Sequence, residues 1–285
     1  MIKRVNNYMA MLRNLRNIIE VGVDDDHLHK VAEAVKYRPA ILNSRQFPFR
    51  FLQAYNAIKD IAPPYFLDSI EEALEISLEN LPTFKGKTMS LCDNSGSATG
   101  TTTSVMGTMQ VSAIANLSAV ITGKVSEEGW LGVFGDNLAM TPVRKKSSIF
   151  DQVNAANTKG ESIGPSTENG IWLFWRDALE NSKWWDNIFI YSDMQAGHGG
   201  LYGLHPEEYR DYLWRGSSKS IDVAKLINKY RSKVNPNVNV FLCQVSGYQD
   251  TIVPEFYNRV YIMGGWSTGI LNFAHKMIES NSPSQ

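Results

Sequence analysis

The chain of 285 residues is 43% hydrophobic and 11% aromatic, and its 28 Lys and Arg residues against 29 Asp and Glu residues leave a formal net charge of -1. This composition is typical of a globular protein with one large or two smaller domains, and it excludes a disordered, collagen-like or disulfide-stapled chain. The balanced charge excludes a general polyanion binder, so any contact with nucleic acid is expected to be local.

Neither a membrane span nor a leader peptide is predicted. The apolar runs are far shorter than the roughly 18 residues that a spanning helix requires, and no apolar segment follows the basic start. Cys92 and Cys243 lie in apolar, strand-like runs, where a free thiol packs as a small hydrophobic side chain. We therefore expect a cytoplasmic protein, and the two cysteines do not indicate a structural disulfide.

The N-terminal segment, residues 1–86, has the pattern of short amphipathic helices. Apolar residues recur at helical spacing between Met9 and Ile19, and glycine or proline residues separate this run from the later ones. The first 60 residues carry ten basic and six acidic residues, so the basic charge of the chain is concentrated here. We predict a small helical domain over 1–86.

From residue 87 onward, short apolar strands alternate with helix-like segments. The strands lack polar interleaving, which favours a parallel sheet covered by helices on both faces. The predicted strands are 88–92, 129–134, 188–191, 238–242 and 260–263, and the predicted helices are 103–122, 168–181, 221–233 and 269–279. We predict a doubly wound, mostly parallel α/β domain of the Rossmann-like class over 87–280, followed by a flexible tail over 281–285.

Oxygen-bearing side chains follow the first predicted strand in the order Asp93, Ser95, Ser97. A turning loop brings alternate side chains to one side, and a carboxylate with hydroxyls suits Mg²⁺, which takes about six oxygen ligands. Asp193 follows a second strand at the same edge of the sheet, where such folds bind ligands. Thr167 lies in a predicted loop over 160–170, just before a helix; Ser162 and Ser166 lie in the same loop. An alternative is that Asp93 or Ser97 only caps the helix that follows.

This arrangement resembles the metal-ion-dependent adhesion site of von Willebrand factor A domains. The resemblance implies that Asp93, Ser95, Ser97, Thr167 and Asp193 hold Mg²⁺ or another divalent cation, with the two carboxylates acting mainly through water. It also implies an open coordination position for an acidic residue of a partner protein or of a neighbouring copy. Because the family often has Gly-Thr-Asp where this chain has Ser-Thr-Glu, Ser162 or Ser166 could replace Thr167, and a degenerate site without metal is the other alternative.

Further motifs extend the resemblance beyond the A domain. Residues 10–15 and 43–49 resemble the last helical part of the TROVE module of the Ro ribonucleoprotein autoantigen family, and 260–278 resemble the C-terminal end of that family. The resemblance implies an RNA-linked role, in which a ring of helical repeats binds small structured RNAs. Residues 1–88 are too few for a complete ring, so we expect the rest to be absent or supplied by a separate helical-repeat chain. Phe47 stands where the family has His before Pro.

Basic residues of the helical segment are the candidate contacts to RNA phosphates. They are Arg13, Arg16, Lys36, Arg38, Arg45 and Arg50. No nucleophile elbow, zinc motif or Walker A loop is present in the sequence, so we expect a binding protein and not an enzyme. The leading hypothesis is a Ro-like RNA-associated protein whose A domain engages an acidic residue of a partner through Mg²⁺ in a ribonucleoprotein assembly. The alternative is a protein-interaction or assembly module that has lost direct RNA binding, and a Mg²⁺-dependent phosphohydrolase comes third.

Overall fold

A computed structural model describes residues 6–100, 109–167, 169–193, 211–213, 215, 221–245, 258–265 and 268–281. The chain divides into two compact units: Met1–Pro82 with Ser148–Phe150, and Thr83–Ser147 with Asp151–Gln285. The boundary that the sequence predicts between residues 86 and 87 lies inside the first strand, which begins at Phe84.

The first unit is helical, as the sequence predicts. Its helices are α1 Asn6–Glu20, α2 Asp25–Val35, α3 Arg38–Ser44, α4 Pro48–Ile58 and α5 Pro64–Ser77, followed by a 3-10 turn over Leu78–Asn80. Helices α3, α4 and α5 each carry a proline in the first two positions, where the missing N–H would have no partner within the helix. Asp24 caps α2, because its Oδ1 accepts a hydrogen bond from His27 N at 2.8 Å.

Apolar faces of these helices form the core of the helical unit. Helix α5 packs against α2, α3 and α4, and α1 packs against α4. Phe51, Phe66 and Ile70 are fully buried within it. The buried hydroxyl of Tyr8 donates to the carbonyl of Val35 at 2.6 Å, which ties α1 to the end of α2.

The second unit contains one six-stranded sheet covered by helices. The strands are β1 Phe84–Asp93, β2 Ser126–Phe134, β3 Leu138–Pro142, β4 Asn187–Ser192, β5 Asn239–Gln244 and β6 Val260–Gly264, and the helices are α6 Gly96–Gly100, α7 Val111–Val125, α8 Ile149–Ile163, α9 Gly170–Glu180, α10 Val223–Lys233 and α11 Thr268–Asn281. The strand order is β3-β2-β1-β4-β5-β6, and only the β2–β3 pairing is antiparallel. The predicted doubly wound, mostly parallel α/β fold is confirmed.

Two elements of this unit differ from the sequence-based expectation. Strand β3 is an antiparallel edge strand whose residues are half-buried or exposed, so it lacks the apolar run that marks the buried strands. Helix α8 continues to Ile163, which makes the predicted loop over 160–170 wrong at its start. Of the predicted helix 103–122, residues 103–108 lie outside the described part of the chain, and α7 begins at Val111.

The core of the second unit lies on both faces of the central strands. On one face the rings of Phe84, Phe189, Phe241 and Tyr261 pack in succession, with centroid separations of 5.1, 4.6 and 5.1 Å. On the other face α9 buries its tryptophans against the sheet. Among the described residues, no helix is long and apolar enough to cross a membrane. Residues 282–285 of the predicted tail lie outside the described part, and Asn281 ends α11.

A left-handed residue at the end of α9 generates a stability prediction. Ser182 has φ +48°, and the hydrogen bonds Ser182 N to Leu179 O and Lys183 N to Ala178 O form a Schellman motif, in which glycine is the preferred residue. We expect Ser182→Gly to raise the free energy of unfolding by about 1 kcal/mol, because an L-residue is strained in this conformation. Denaturant titration followed by circular dichroism measures the change.

The matched control is Ser232→Gly, an exposed serine inside α10. This variant should lose about 0.5 kcal/mol, since glycine has a lower helix propensity than serine. If Ser182→Gly destabilised the protein as much as the control does, the strain assigned to Ser182 would be absent.

Candidate metal centre

The carboxyl edge of β1 and β4 is the point where the order of the sheet reverses. The chain proceeds from β1 to β2 and β3 on one side, and β4, β5 and β6 extend the other side. Asp93 is in register with Phe134 of β2, and Cys92 is in register with Tyr191 of β4. The first residues after these three strands therefore lie at one edge of the sheet, the crevice where doubly wound folds bind their ligands.

Asp93 is the buried carboxylate at the centre of this edge, with no exposed surface. Its Oδ1 accepts a hydrogen bond from Ser95 N at 2.9 Å, and its Oδ2 accepts one from Ser192 Oγ at 2.6 Å. Burial and the neighbouring carboxylate of Asp193 raise the pKa of Asp93 to about 6. Asp193 is also fully buried, so two like charges lie close together away from water.

Two serine hydroxyls lie directly after Asp93. Ser95 is buried and Ser97 is half-buried, and their Oγ atoms are 3.2 Å apart. Ser97 lies inside α6, which begins at Gly96, and therefore does not occupy the capping position that was the alternative interpretation. Asp93 does stabilise the turn into α6, because its carboxylate accepts a hydrogen bond from Ser95 N. This turn keeps the Asp93 carboxylate and the Ser95 hydroxyl at the crevice.

Thr167 joins the edge through a loop between α8 and α9. Its hydroxyl donates to Asp136 Oδ1 at 2.8 Å, and the loop is held by hydrogen bonds from Asp136 N to Gly164 O at 2.8 Å and from Gly96 N to Pro165 O at 2.7 Å. The loop thus contacts both the segment after β2 and the start of α6. Of the two alternatives to Thr167, Ser166 is exposed.

Ser162 is not a candidate ligand. It lies on the exposed face of α8, where its hydroxyl donates to Lys159 O at 2.8 Å. The sequence-based expectation placed it in a loop, because the polar residues of α8 hide its helical pattern.

Asp136 is the residue that the sequence reasoning missed. It lies two positions after the end of β2, and its carboxylate accepts a hydrogen bond from the hydroxyl of Thr167. The signal that could have found it is an acidic side chain just after the strand next to β1, since the carboxyl ends of parallel neighbours share one edge.

A set of buried amides supports the crevice from below. Asn94 Nδ2 donates to Asn116 Oδ1 at 2.8 Å, Asn116 Nδ2 returns a bond to Asn94 Oδ1 at 3.0 Å, and Asn116 Nδ2 also contacts Asn157 Oδ1 at 2.7 Å. The backbone of Asn94 donates to Phe134 O at 2.8 Å. These bonds hold the residues on either side of Asn94 in place.

The donor set at this edge fits a hard divalent cation. It combines two buried carboxylates with serine and threonine hydroxyls, which are oxygen ligands of the kind that Mg²⁺ takes, and a cation would offset the repulsion between the carboxylates. Among the described residues, no group of three or more His, Cys, Asp and Glu side chains could hold a metal ion. The hydroxyls would therefore have to supply part of the coordination.

Three of the six candidate RNA contacts already pair with carboxylates. Arg16 Nε lies 2.7 Å from Glu20 and Lys36 Nζ lies 2.9 Å from Glu33, and Arg38 forms an ion pair with Glu79. The carboxylates partly offset the positive charge of these three residues, which weakens their attraction for a phosphate group.

The other three, Arg13, Arg45 and Arg50, form no ion pair with a carboxylate among the described residues. Arg13 is exposed, and partial burial together with the positive charge of Arg13 lowers the pKa of Arg50, so these two guanidinium groups lie near each other. Arg50 also lies 4.8 Å from the ring centre of Phe49. Arg45 ends α3 in the left-handed conformation, with φ +47°.

The chain therefore joins a helical unit to a doubly wound α/β domain whose switch point is lined by carboxylate and hydroxyl oxygens. Comparison with known proteins places its N-terminal part: residues 4–72 match the family model of the TROVE domain. The predicted resemblance of the helical segment to the TROVE module is confirmed.

Curated relatives match over a short segment. Over 51 residues the chain is 41% identical to telomerase protein component 1 of Rattus norvegicus and 43% identical to telomerase protein component 1 of Mus musculus. The segment is 18% of this chain and 2% of either relative. The chain thus spans only a small part of the curated relatives that it matches.

A solved structure shares the fold over most of the chain. The crystal structure of the Ro (RSR) protein of Deinococcus radiodurans matches with a TM-score of 0.65 and 16% sequence identity, over 94% of this chain and 53% of that one. At this identity the likeness shows a common fold. The adhesion-site assignment stays a prediction.

The amide cluster below the crevice generates a second prediction. A Cβ added at Gly160 of α8 would lie 2.2 Å from Asn94 Oδ1, so Gly160→Ala must displace the asparagine that follows Asp93. We expect the free energy of unfolding to fall by about 1–3 kcal/mol, as for other overpacked sites. Thermal and denaturant unfolding both measure it.

Gly100→Ala is the matched control, since a Cβ at this helical glycine meets nothing within 4 Å. Its stability should be unchanged or slightly higher, because alanine favours a helix by up to about 1 kcal/mol. An equal loss in both variants would contradict the role of the Asn94 contact.

Proposed function

We propose that the chain is a Ro-like, RNA-associated binding protein whose α/β domain holds Mg²⁺ at the carboxyl edge of its sheet and uses it to engage an acidic residue of a partner. The observation that carries the proposal is the pair of buried carboxylates, Asp93 and Asp193, beside hydroxyls at the switch point. Such a site suits binding, because a cation held largely by neutral hydroxyls keeps most of its charge for an incoming carboxylate.

The chain's own residues have distinct parts in this proposal. Ser95, Ser97 and Thr167 would bind the cation directly, and Asp93 and Asp193 would act mainly through water. Ser192 and the backbone of Ser95 orient the Asp93 carboxylate. Asp136 positions Thr167 by accepting a hydrogen bond from the threonine hydroxyl. When bound, Mg²⁺ supplies a coordination position for an oxygen ligand from the partner.

The RNA part of the proposal rests on the helical unit. Residues 4–72 match the TROVE domain, and the neighbouring guanidinium groups of Arg13 and Arg50 have no carboxylate to offset them among the described residues. Arginines in this state bind phosphate oxygens in fork geometry. RNA association is therefore proposed for the helical unit and partner binding for the α/β domain.

An alternative function is protein assembly without direct RNA binding. The buried carboxylate pair favours it equally, since that site needs no RNA. The partner would then be another protein or a neighbouring copy of the chain, and the two experiments below separate this function from the first.

Mg²⁺ should stabilise the native protein. Binding to the folded state alone raises the free energy of unfolding by about 2.7 kcal/mol when free Mg²⁺ is about 100 times its Kd, so the melting temperature should rise with MgCl₂ and fall back in EDTA. Asp93→Asn should lose this response, because the substitution removes one carboxylate while keeping the size of the side chain. Differential scanning calorimetry measures both effects.

Glu161→Gln serves as control, since Glu161 is an exposed carboxylate on α8 outside the crevice. It should respond to Mg²⁺ as the unmodified protein does. An equal rise in melting temperature for Asp93→Asn would show that the cation binds elsewhere and would overturn the metal site.

Direct RNA binding should depend on Arg13 and Arg50. In a filter-binding assay with a structured RNA, the double variant Arg13→Gln/Arg50→Gln should bind more weakly. The slope of log K against log salt should become shallower by about 1 for each phosphate that the variant no longer neutralises.

Arg16→Gln/Arg38→Gln is the charge-matched control, because Glu20 and Glu79 already pair with these arginines. We expect its salt dependence to be close to that of the unmodified protein. If the unmodified protein showed no salt-dependent RNA binding, the assembly function without RNA would replace the first proposal.

A further inference from the structure

The amino edge of the sheet contains a cavity of about 370 Å³, on the opposite side of the domain from the candidate metal centre. It opens where β1, β4 and β5 begin and where the chain enters β6. Strands of six residues separate the two edges by about 20 Å. The side chains that carry its chemistry are Lys85, Trp184, Asn187, Asn237, Asn239 and Arg259. The volume lies in the range of small-ligand pockets, about 300–1,000 Å³.

Asparagine amides form the floor of this cavity in a directed chain of hydrogen bonds. Asn187 Nδ2 donates to the carbonyl of Lys85 at 3.1 Å, and Asn239 Nδ2 donates to Asn187 Oδ1 at 3.1 Å. A backbone carbonyl can only accept, so it sets the orientation of both amides. The chain ends on Asn239 Oδ1, a buried acceptor that receives no hydrogen bond within the described part of the protein. A buried acceptor without a donor is costly, and a ligand N–H that reaches this oxygen would remove the cost.

Trp184 provides an aromatic surface at the rim. Half of its side chain is exposed, which is unusual for tryptophan in a protein whose other described large aromatic residues are mostly buried. Its indole Nε1 donates to Asp186 Oδ1 at 2.9 Å, so the ring is held in place while its surface stays open. A fixed, exposed indole beside hydrogen-bonding amides is suited to a flat heteroaromatic group.

The charge at the cavity is positive. Arg259 donates to the carbonyls of Asn237 at 3.2 Å and Asn281 at 2.8 Å, and neither Arg259 nor Lys85 pairs with a carboxylate among the described residues. The one acidic side chain of the lining, Asp186, already accepts from Trp184 and from Lys87 N at 2.7 Å. Two cations are therefore available to an anionic group.

Arg259 is also held in an uncommon backbone conformation, with φ +59°. A non-glycine residue in the left-handed region carries strain that the surrounding structure must maintain. Here the two carbonyl contacts hold the guanidinium at the mouth of the cavity.

We propose that this cavity binds a nucleotide, with the base stacked on Trp184 and hydrogen-bonded to the asparagine amides, and the phosphate bound by Lys85 and Arg259. The same chemistry is presented by a free nucleoside monophosphate and by the terminal nucleotide of a single-stranded RNA. The two cations favour a nucleotide over a neutral sugar, because a sugar would leave both charges without a partner. The site does not depend on Mg²⁺ or on the arginines of the helical unit.

Calorimetric titration of the full chain with AMP, adenosine and a short oligoadenylate tests the proposal. We expect AMP to bind, and adenosine to bind more weakly because it lacks the phosphate. Lys85→Gln should weaken AMP without affecting adenosine. Trp184→Ala should weaken the binding of both ligands by about tenfold, because the stacking of the base on the indole is lost, and Trp184→Phe should restore most of the affinity. Oligoadenylate binding tighter than AMP would identify RNA as the source, and AMP binding at least as tight would identify the free nucleotide.

Tyr37→Ala is the control, since Tyr37 is an exposed aromatic residue of the helical unit; its binding should equal that of the unmodified protein. The titrations are run in EDTA, which removes Mg²⁺, and are repeated on Arg13→Gln/Arg50→Gln, which lacks the proposed RNA contacts of the helical unit. Nucleotide binding at the cavity should persist in both cases, so its test is independent of the proposed function. Absence of AMP binding up to millimolar concentration would overturn the nucleotide site. So would binding of N-acetylglucosamine, but not AMP, that depends on Trp184.

Discussion

Two buried carboxylates at the switch point of the sheet are the constraint on which the proposed function depends. Asp93 ends β1 and Asp193 directly follows the neighbouring strand β4, and each is removed from solvent. Burial, and after it the like charge of Asp193, raises the pKa of Asp93. The hydrogen bonds from Ser192 and Ser95 offset part of this cost, and a divalent cation would offset the rest. The amide cluster around Asn94 and the loop that carries Thr167 serve to hold this arrangement.

The two edges of the same sheet have different chemistry. The carboxyl edge presents carboxylates and hydroxyls, whereas the amino edge presents amides, an exposed indole and two cations without carboxylate partners among the described residues. In a parallel sheet all strands start on one side and end on the other, so residues at equivalent strand ends are collected into one place. Asn187 and Asn239, which are in register on β4 and β5, show this at the amino edge. The two proposed binding sites therefore lie at opposite edges of one sheet.

The basic residues of the helical unit fall into two groups, those with a carboxylate partner and those without one among the described residues. Arg16, Lys36 and Arg38 have carboxylates within ion-pair distance, and Arg13 lies close enough to Arg50 to lower its pKa. A surface ion pair contributes little to stability, but it decides which cation remains available to a phosphate. The balanced charge of the whole chain therefore conceals a local surplus.

The sequence of residues alone determined the layers of the protein, because helical and strand periodicities are local properties. It predicted the helical segment, the alternation of strands and helices, and the grouping of Asp93 with the two serines that follow it, since each of these depends on neighbours in the chain. Only the tertiary structure decided which polar groups meet. Asp136 reaches Thr167 across 31 positions, the ion pairs of Arg38 and Lys36 cross between helices, and the asparagines of the amino edge come from separate strands. Such contacts depend on strand order and register, which no local pattern encodes.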